Sequence, residues 1–321
     1  MKKWLALALG VLVAFGALAQ SYPSRPIRLI VPFAAGGGTD LVARALAQRL
    51  SKEMGQNVVV DNRVGGSGVI GTDLTAKAAP DGYTIMIATP TFTVNPALMA
   101  KLPYNTPQDF APVSLVATSP HLLAIHPSIP ARNVAELVAY AKQRGEPLTY
   151  SSGSVGGSSH LAGEFFSSLA GVKMLHIPYK GTGEAASALV AGTVNTAFLD
   201  VQTLLPLVKA GRLRAIAVTG SRRVQILPEL PTVAEAGPAF AGFDSGVWYG
   251  IIAPGATPAP LLARLHAEIV KALSSAEMQK ALLDVAAEPV GGTPQAFSEL
   301  IKTEIERWGA AVKRAGLVAS Q

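Results

Sequence analysis

Ile27-Arg28-Leu29-Ile30-Val31-Pro32 runs directly into Phe33-Ala34-Ala35-Gly36-Gly37-Gly38-Thr39-Asp40, and the reading of this stretch decides the fold. The first six residues are β-rich and end on proline, which predicts a short strand. Behind the glycines, Val42, Ala45, Leu46 and Leu50 recur at helical spacing, and Gly55 stands where a helix C-cap glycine belongs. Strand, Gly-rich turn and helix together make a βα unit. Glycines strip side chains from the turn, so backbone N–H groups can approach a ligand, and the helix start behind them favours an anion. That preference is worth about 0.3–1 kcal/mol when exposed and up to ~2 kcal/mol when partly buried. The turn lacks the Gly-Lys-Ser/Thr of a phosphate loop and the Gly-x-Gly-x-x-Gly of a dinucleotide site. A tight turn without function is the plain alternative, and an acidic residue such as Asp40 is ordinary in any first helical turn.

The unit repeats along the chain. Val58-Val59-Val60 predicts a strand, Gly65-Gly66-Ser67-Gly68 a turn and the residues to Ala78 a helix; Thr84 to Ala88 is the next strand. A Thr- and Pro-rich loop follows, with a change of register near Leu122-Leu123-Ala124-Ile125. Asn133 with Glu136 has the spacing of a capping arrangement, and Gly145 is expected to end that helix. Leu148-Thr149-Tyr150 predicts a strand leading into a second Gly/Ser segment, Ser151 to His160, and then a helix stopped by Gly171. Strands at Met174–Ile177, Val194–Leu199 and Arg214–Val218 alternate with helices over 184–191 and 202–209. Pro228 to Phe243 shows little periodicity. Trp248–Ala253 predicts a last strand, and helices fill 258–283 and 294–314. Alternating strands and helices imply α/β architecture with mainly parallel sheets flanked by helices. Two such sets meet near residue 121, and the C-terminal part is expected to return to the first. The expected organisation is residues 20–121 with 245–321 as lobe 1 and 122–244 as lobe 2, facing each other across a cleft lined by strand ends.

The chain of 321 residues is 49% hydrophobic and 15% charged, which suits a sizeable packed core and excludes a disordered tail. Lys2 and Lys3, the apolar run Trp4 to Leu18, and Ala17-Leu18-Ala19 read as a secretory signal peptide over residues 1–19. Its apolar run is shorter than the roughly 20 residues needed to span a bilayer. With no cysteine, the fold is built without disulfides and without a lipidated thiol. Basic residues are scattered rather than clustered, which argues against nucleic acid.

No stretch matches the Gly-x-Ser-x-Gly of a serine hydrolase, since Val69 follows Gly65-Gly66-Ser67-Gly68. The five histidines, His121, His126, His160, His176 and His266, form no metal-ligand spacing, so neither a metal nor a cofactor is expected. His160 beside Ser158 has a helix-start hydrogen bond as its simpler role. Ser151 to His160 occupies in the second half the place that Phe33 to Asp40 holds in the first. Together the two segments would clamp an anionic group between helix starts. Phe33 is either ordinary core or an apolar cover over the ligand. A side chain at Gly36, as in Gly36→Val, is expected to block ligand approach.

The runs Tyr22-Pro23-Ser24-Arg25-Pro26-Ile27, Val31-Pro32-Phe33 through Asp40 and Asp61-Asn62-Arg63-Val64-Gly65-Gly66 resemble the start of the tripartite tricarboxylate transporter receptors, the Bug-like solute-binding proteins. Pro80 to Thr84, Ser152 to His160, Pro178-Tyr179-Lys180-Gly181 and Pro228 to Thr232 continue the resemblance in order. It implies a two-lobed periplasmic binding protein of type II and delivery to two integral membrane subunits driven by an ion gradient. It also implies a carboxylate held by backbone groups and ordered water. The residues implied are Phe33, Ala35, Gly36, Gly37 and Asp40 in the first lobe and Ser151, Gly153, Ser154, Ser158 and Ser159 in the second. Thr89 and Asp200 are added as strand-end positions facing the cleft. A monomeric receptor for a small organic acid is expected, with a C4–C6 di- or tricarboxylate favoured over an amino acid or aromatic acid. Docking on a histidine-kinase ectodomain is a further role open to such a receptor.

Overall fold

The computed structural model describes residues 22–315. The segment read as a signal peptide lies outside them. Strand β1 (Ile27–Val31) is followed by helix α1 (Gly38–Met54), which buries Val42, Ala43, Leu46, Ala47, Leu50 and Met54 on one stripe. Gly55 ends the helix at φ 66°, a left-handed cap that glycine adopts without a Cβ clash. Strands β2 (Val58–Asn62) and β3 (Thr84–Ala88) pair in parallel with β1 on either side, Leu29 facing Val60 and Ile85. Helices α2 (Val69–Ala76) and α3 (Pro90–Leu98) link these units to β4.

β4 is a single strand of 16 residues, Phe110–Ile125. Its first part pairs antiparallel with β9 (Gly246–Pro254), which also pairs antiparallel with β3. Its last part, His121–Ile125, pairs antiparallel with β7 (Thr196–Asp200) on one side and β8 (Arg214–Val218) on the other. β5 (Leu148–Ser152) continues from β7 in parallel, and β6 (Met174–Pro178) from β5. A short β10 (Glu288–Pro289) adds to β4. The helices over these strands are α4 (Val134–Gln143), α5 (Ser158–Ala170), α6 (Thr182–Val190) and α7 (Val201–Lys209), then α8 (Ala259–Ser274), α9 (Ala276–Leu283) and α10 (Pro294–Ala315).

The architecture is α/β as expected, but the sheet is mixed rather than mainly parallel. The parallel pairs sit at the outside, and the antiparallel strands β4 and β9 run through the middle. The apolar interior follows this division. One core gathers β1, β3 and β9 against α1, α8 and α9, and a second packs β9 and α3 against Phe297 and Ile301 of α10. Two more cover the faces of the β5–β7–β4–β8 part.

Two expectations fail locally. The Thr/Pro-rich loop is helix α3 followed by β4. Pro90 falls in the first turn, where its missing N–H is harmless, and packing buries Pro90 through Asn95 despite poor helix propensity. Gly145 is not a left-handed cap. α4 stops at Gln143 and Arg144 turns extended. The Asn133 cap forms as expected, its side chain accepting from Glu136 N–H at 2.8 Å while Asn133 Nδ2 donates to Glu136 at 2.7 Å.

Candidate functional site

The turn after β1 stays open because it is anchored from below. Asp40 is 2% exposed, and its carboxylate accepts from Gly36 N–H at 3.0 Å, Arg44 Nε at 2.8 Å and Asn62 Nδ2 at 2.9 Å. Asn62 also donates to Phe33 O, fixing the other end of the turn. Burial alone would raise the Asp40 carboxyl, but hydrogen bonds from Arg44, Gly36 and Asn62 outweigh it and hold the group below its usual range. Gly36 adopts φ +82° at the bend. The second segment is anchored similarly. Ser152 Oγ donates to Ser154 O at 2.9 Å, Gly153 N–H donates to Ser159 Oγ at 3.3 Å, and Gly156 N–H donates to His160 Nδ1 at 3.0 Å. His160 stacks on His176 with centroids 3.8 Å apart, and His176 Nε2 lies 2.5 Å from Ser152 Oγ. Burial, then the neighbouring His160, push His176 down to about 3, so the pair is neutral and can accept hydrogen bonds.

Both segments abut the Gly181–Thr182 turn, a Cβ on Gly37 standing 2.8 Å from Thr182 Oγ1 and one on Gly153 2.9 Å from Thr182 N. Gly38 N–H donates to Thr182 Oγ1 at 3.3 Å, and a Cβ on Gly38 would stand 2.3 Å from Asp200 Oδ2. Between them is a cavity of about 40 Å³ lined by Phe33, Ala34, Gly37, Thr39, Thr89, Thr91, Gly153, Ser154, Gly157, Ser158, Ser159, Gly181, Thr182, Asp200 and Val247. At 10–15 Å³ per water-sized position, that is room for roughly three atoms of an acid group.

Five helices begin at this cavity: α1, α3, α5, α6 and α7, behind Gly37, Thr89, Gly157, Gly181 and Asp200. None of the five N-cap residues makes a side-chain cap hydrogen bond. Of the helices that start elsewhere, α4 and α9 are capped by Asn133 and Ser275, while α2 and α8, behind Gly68 and Pro258, also lack a side-chain cap, so what marks the five is their convergence. First-turn N–H groups are orphans that need an acceptor, and the helix dipoles add positive potential at the same ends. No Lys, Arg or His lines the cavity among the described residues, and Asp200 is its one charged group. The arrangement suits a carboxylate bound by backbone donors.

Of the residues expected from sequence, Phe33, Gly37, Thr89, Gly153, Ser154, Ser158, Ser159 and Asp200 line this cavity. Ala35, Gly36, Asp40 and Ser151 do not. Ala35 and Gly36 lie at the exposed bend, Asp40 is turned inward to hold that bend, and Ser151 Oγ donates to Ala185 O in the interior. Gly181 and Thr182 escaped sequence reasoning because one glycine before a helix carries little signal, although Pro178-Tyr179-Lys180-Gly181 was a marked segment. At the floor, His121 Nδ1 lies 3.3 Å from Asp200 Oδ1 without hydrogen-bond geometry, and Gln202 Nε2 donates to Tyr249 at 3.3 Å. Among the described residues, no cluster of His, Asp or Glu could hold a metal, and no helix is long and apolar enough to cross a membrane.

Residues 42–317 match the family model described as the tripartite tricarboxylate transporter family receptor. The chain is 36% identical to Protein BugT of Bordetella pertussis, with 97% of each chain aligned. Among solved structures it is similar to an R. palustris protein determined with adipate (TM-score 0.90, 37% identity, 93% of this chain and 100% of the other). It is also similar to MatC from Rhodopseudomonas palustris with bound malate (TM-score 0.83, 32% identity, 91% and 100%) and to the periplasmic binding protein BugD (TM-score 0.88, 34% identity, 93% and 100%). The chain therefore belongs to the tripartite tricarboxylate transporter receptor family, whose members are periplasmic solute-binding receptors and not enzymes.

Proposed function

We propose that this chain is exported to the periplasm, captures a small carboxylate between two lobes and hands it to the integral membrane subunits of a tripartite transporter. The lobes are residues 20–121 with 245–321 and residues 122–244, joined through β4 and the approach to β9. A C4–C6 di- or tricarboxylate is the favoured ligand, in keeping with the adipate and malate of the similar structures. The observation that carries the reading is the convergence of five uncapped helix starts on one cavity without a cationic side chain. Phe33 and Val247 supply apolar wall, while Thr89, Thr91, Ser154, Ser158, Ser159 and Thr182 offer hydroxyls to the acid or its waters. An α-amino acid is the second reading, supported by the buried Asp200 carboxylate, which would pair with an ammonium group.

A thermal-shift screen of the chain from Gln20 onward against small acids tests this. A ligand at 100 times its Kd adds about 2.7 kcal/mol, which at ~2–4 °C per kcal/mol is a rise of roughly 5–10 °C. Stabilisation by non-acidic solutes alone would overturn the carboxylate reading. Stabilisation by aspartate but not by succinate or malate would select the amino-acid reading.

A further inference from the structure

Neither His160 nor His176 lines the acid cavity, yet both are tied to the segment that does. Valence places their protons. Ser152 has one hydroxyl proton, and it goes to Ser154 O at 2.9 Å. The 2.5 Å contact between Ser152 Oγ and His176 Nε2 therefore needs its proton from the ring, so His176 Nε2–H is the donor. On His160 the roles are reversed. Gly156 N–H donates to Nδ1 at 3.0 Å, so Nδ1 is a bare lone pair and the ring proton sits on Nε2, 3.8 Å from Glu164 Oε1. Both rings are neutral Nε2–H tautomers. Burial pushes His160 down against the pull of Glu164, and burial with the neighbouring His160 pushes His176 down further. The other titratable groups against the stack are Tyr150 on β5 and Glu164 on α5, joined by a 2.6 Å bond from the Tyr150 hydroxyl.

This relay uses up the N–H groups that precede α5. Gly153 N–H goes to Ser159 Oγ, Gly156 N–H to His160 and Gly157 N–H to Ser154 O at 3.4 Å. The first bond within α5 is Leu161 N–H to Gly157 O at 3.0 Å. The N–H groups of Ser158, Ser159 and His160 therefore have no acceptor inside the helix, and Ser158 and Ser159 line the cavity. Gly156 is also where α3 rests on the segment. It stands at φ +72°, and a Cβ on it would lie 2.2 Å from Leu98 Cδ1 and 3.4 Å from Val94 Cγ1. α3 itself begins behind Thr89 at the same cavity. One lone pair of His160 thus holds the residue through which two of the five helix starts are spaced.

We propose that His160 is a positioning residue for ligand binding: its bare Nδ1 holds Gly156 against α3 and so sets the α3 and α5 starts around the acid group, while His176 Nε2–H locks Ser152 and Ser154 beside it. This rests on the carboxylate reading above. Neither histidine touches the ligand.

Nitrogen NMR of the histidine rings in the chain from Gln20 onward, assigned through their bonds to the backbone, reads the tautomers at neutral pH. Both rings should carry the proton on Nε2 and none on Nδ1, with and without adipate. His160→Leu removes the acceptor and should raise the Kd for adipate and malate about tenfold. His160→Asn places Oδ1 close to the position of Nδ1 and should bring affinity back to within about threefold of the unsubstituted chain. A proton on His160 Nδ1 would overturn the proposal, and that measurement needs no variant to fold. Equal Kd in His160→Leu and the unsubstituted chain would reduce the histidine to a packing role. Equal weakening in His160→Leu and His160→Asn would remove the Nδ1 acceptor from the account. If neither acid raises the melting temperature of the unsubstituted chain, the carboxylate reading falls and the positioning role with it; acid binding alongside a protonated Nδ1 overturns the positioning role alone.

Discussion

Replacing Gly38 with alanine should weaken ligand binding while leaving each lobe intact. The added Cβ would lie 2.3 Å from Asp200 Oδ2, 2.8 Å from its Cγ and 2.9 Å from its Cβ. Changing the Asp200 rotamer can relieve the Oδ2 and Cγ contacts but not the third, because the Asp200 Cβ is fixed to the backbone. His121, fully buried beside Asp200, limits the remaining movement. On the proposed two-lobed reading the α1 start meets Asp200 only when the lobes close, so the cost of the clash falls on the closed form. Overpacking of this kind costs about 1–3 kcal/mol, which corresponds to a rise in Kd of about 5- to 150-fold. Isothermal titration with adipate measures the loss, and melting without ligand provides the control. Affinity equal to that of the unsubstituted chain would refute the reasoning. So would an equal fall in ligand-free stability, since the contact would then belong to the resting fold rather than to closure.

Gly36→Ala should act through the backbone and not by occluding the ligand, contrary to the sequence expectation. Nothing lies within 4 Å of a Cβ there, but φ is +82°, so a left-handed penalty of about 1–2 kcal/mol should lower Tm by roughly 2–8 °C with affinity unchanged. Unchanged Tm with lost binding would restore the occlusion account. Acid should loosen the second binding segment. His176 is depressed to about 3 in the fold but titrates near 6.5 when unfolded, so its contribution is complete above about pH 6.5 and declines as pH falls toward 3. Urea midpoints between pH 7.5 and 4.5 should show this decline, and His176→Gln should flatten it; an identical pH dependence in the variant would remove the histidine pair from the account.

The βα repeats were legible because each strand is short, apolar and bounded by turn residues, and because Gly55 and Gly171 each adopt the left-handed cap their position suggests. The long β4 was not, since Pro112 and Pro120 interrupt the pattern and its two ends pair with different partners. α3 was hidden by Thr91, Thr93 and Val94, poor helix formers held in place by burial, and by Pro96 inside the helix. Strand direction cannot be read from a local pattern, so the antiparallel centre of the sheet emerged only from pairing. That Gly37, Ser154 and Ser158 line one cavity was legible because a Gly/Ser-rich segment before a helix has a known use. For Asp40, sequence places a carboxylate at the turn but does not show which way it faces; in the structure it accepts from Arg44 and Asn62.

β4 changes partner from β9 to β7 at Pro120–His121, where the proposed lobes join, and the chain returns beside it with Gly246 opposite Pro120. Two neighbouring strands act like two pins on one door. They leave a swing about their shared line easy and make twisting or sliding hard. On the proposed two-lobed reading, a solute held at the helix starts is reported to the outside as a single angle, whatever its chemistry. The membrane subunits of the proposed function would then read occupancy from that angle without touching the cargo.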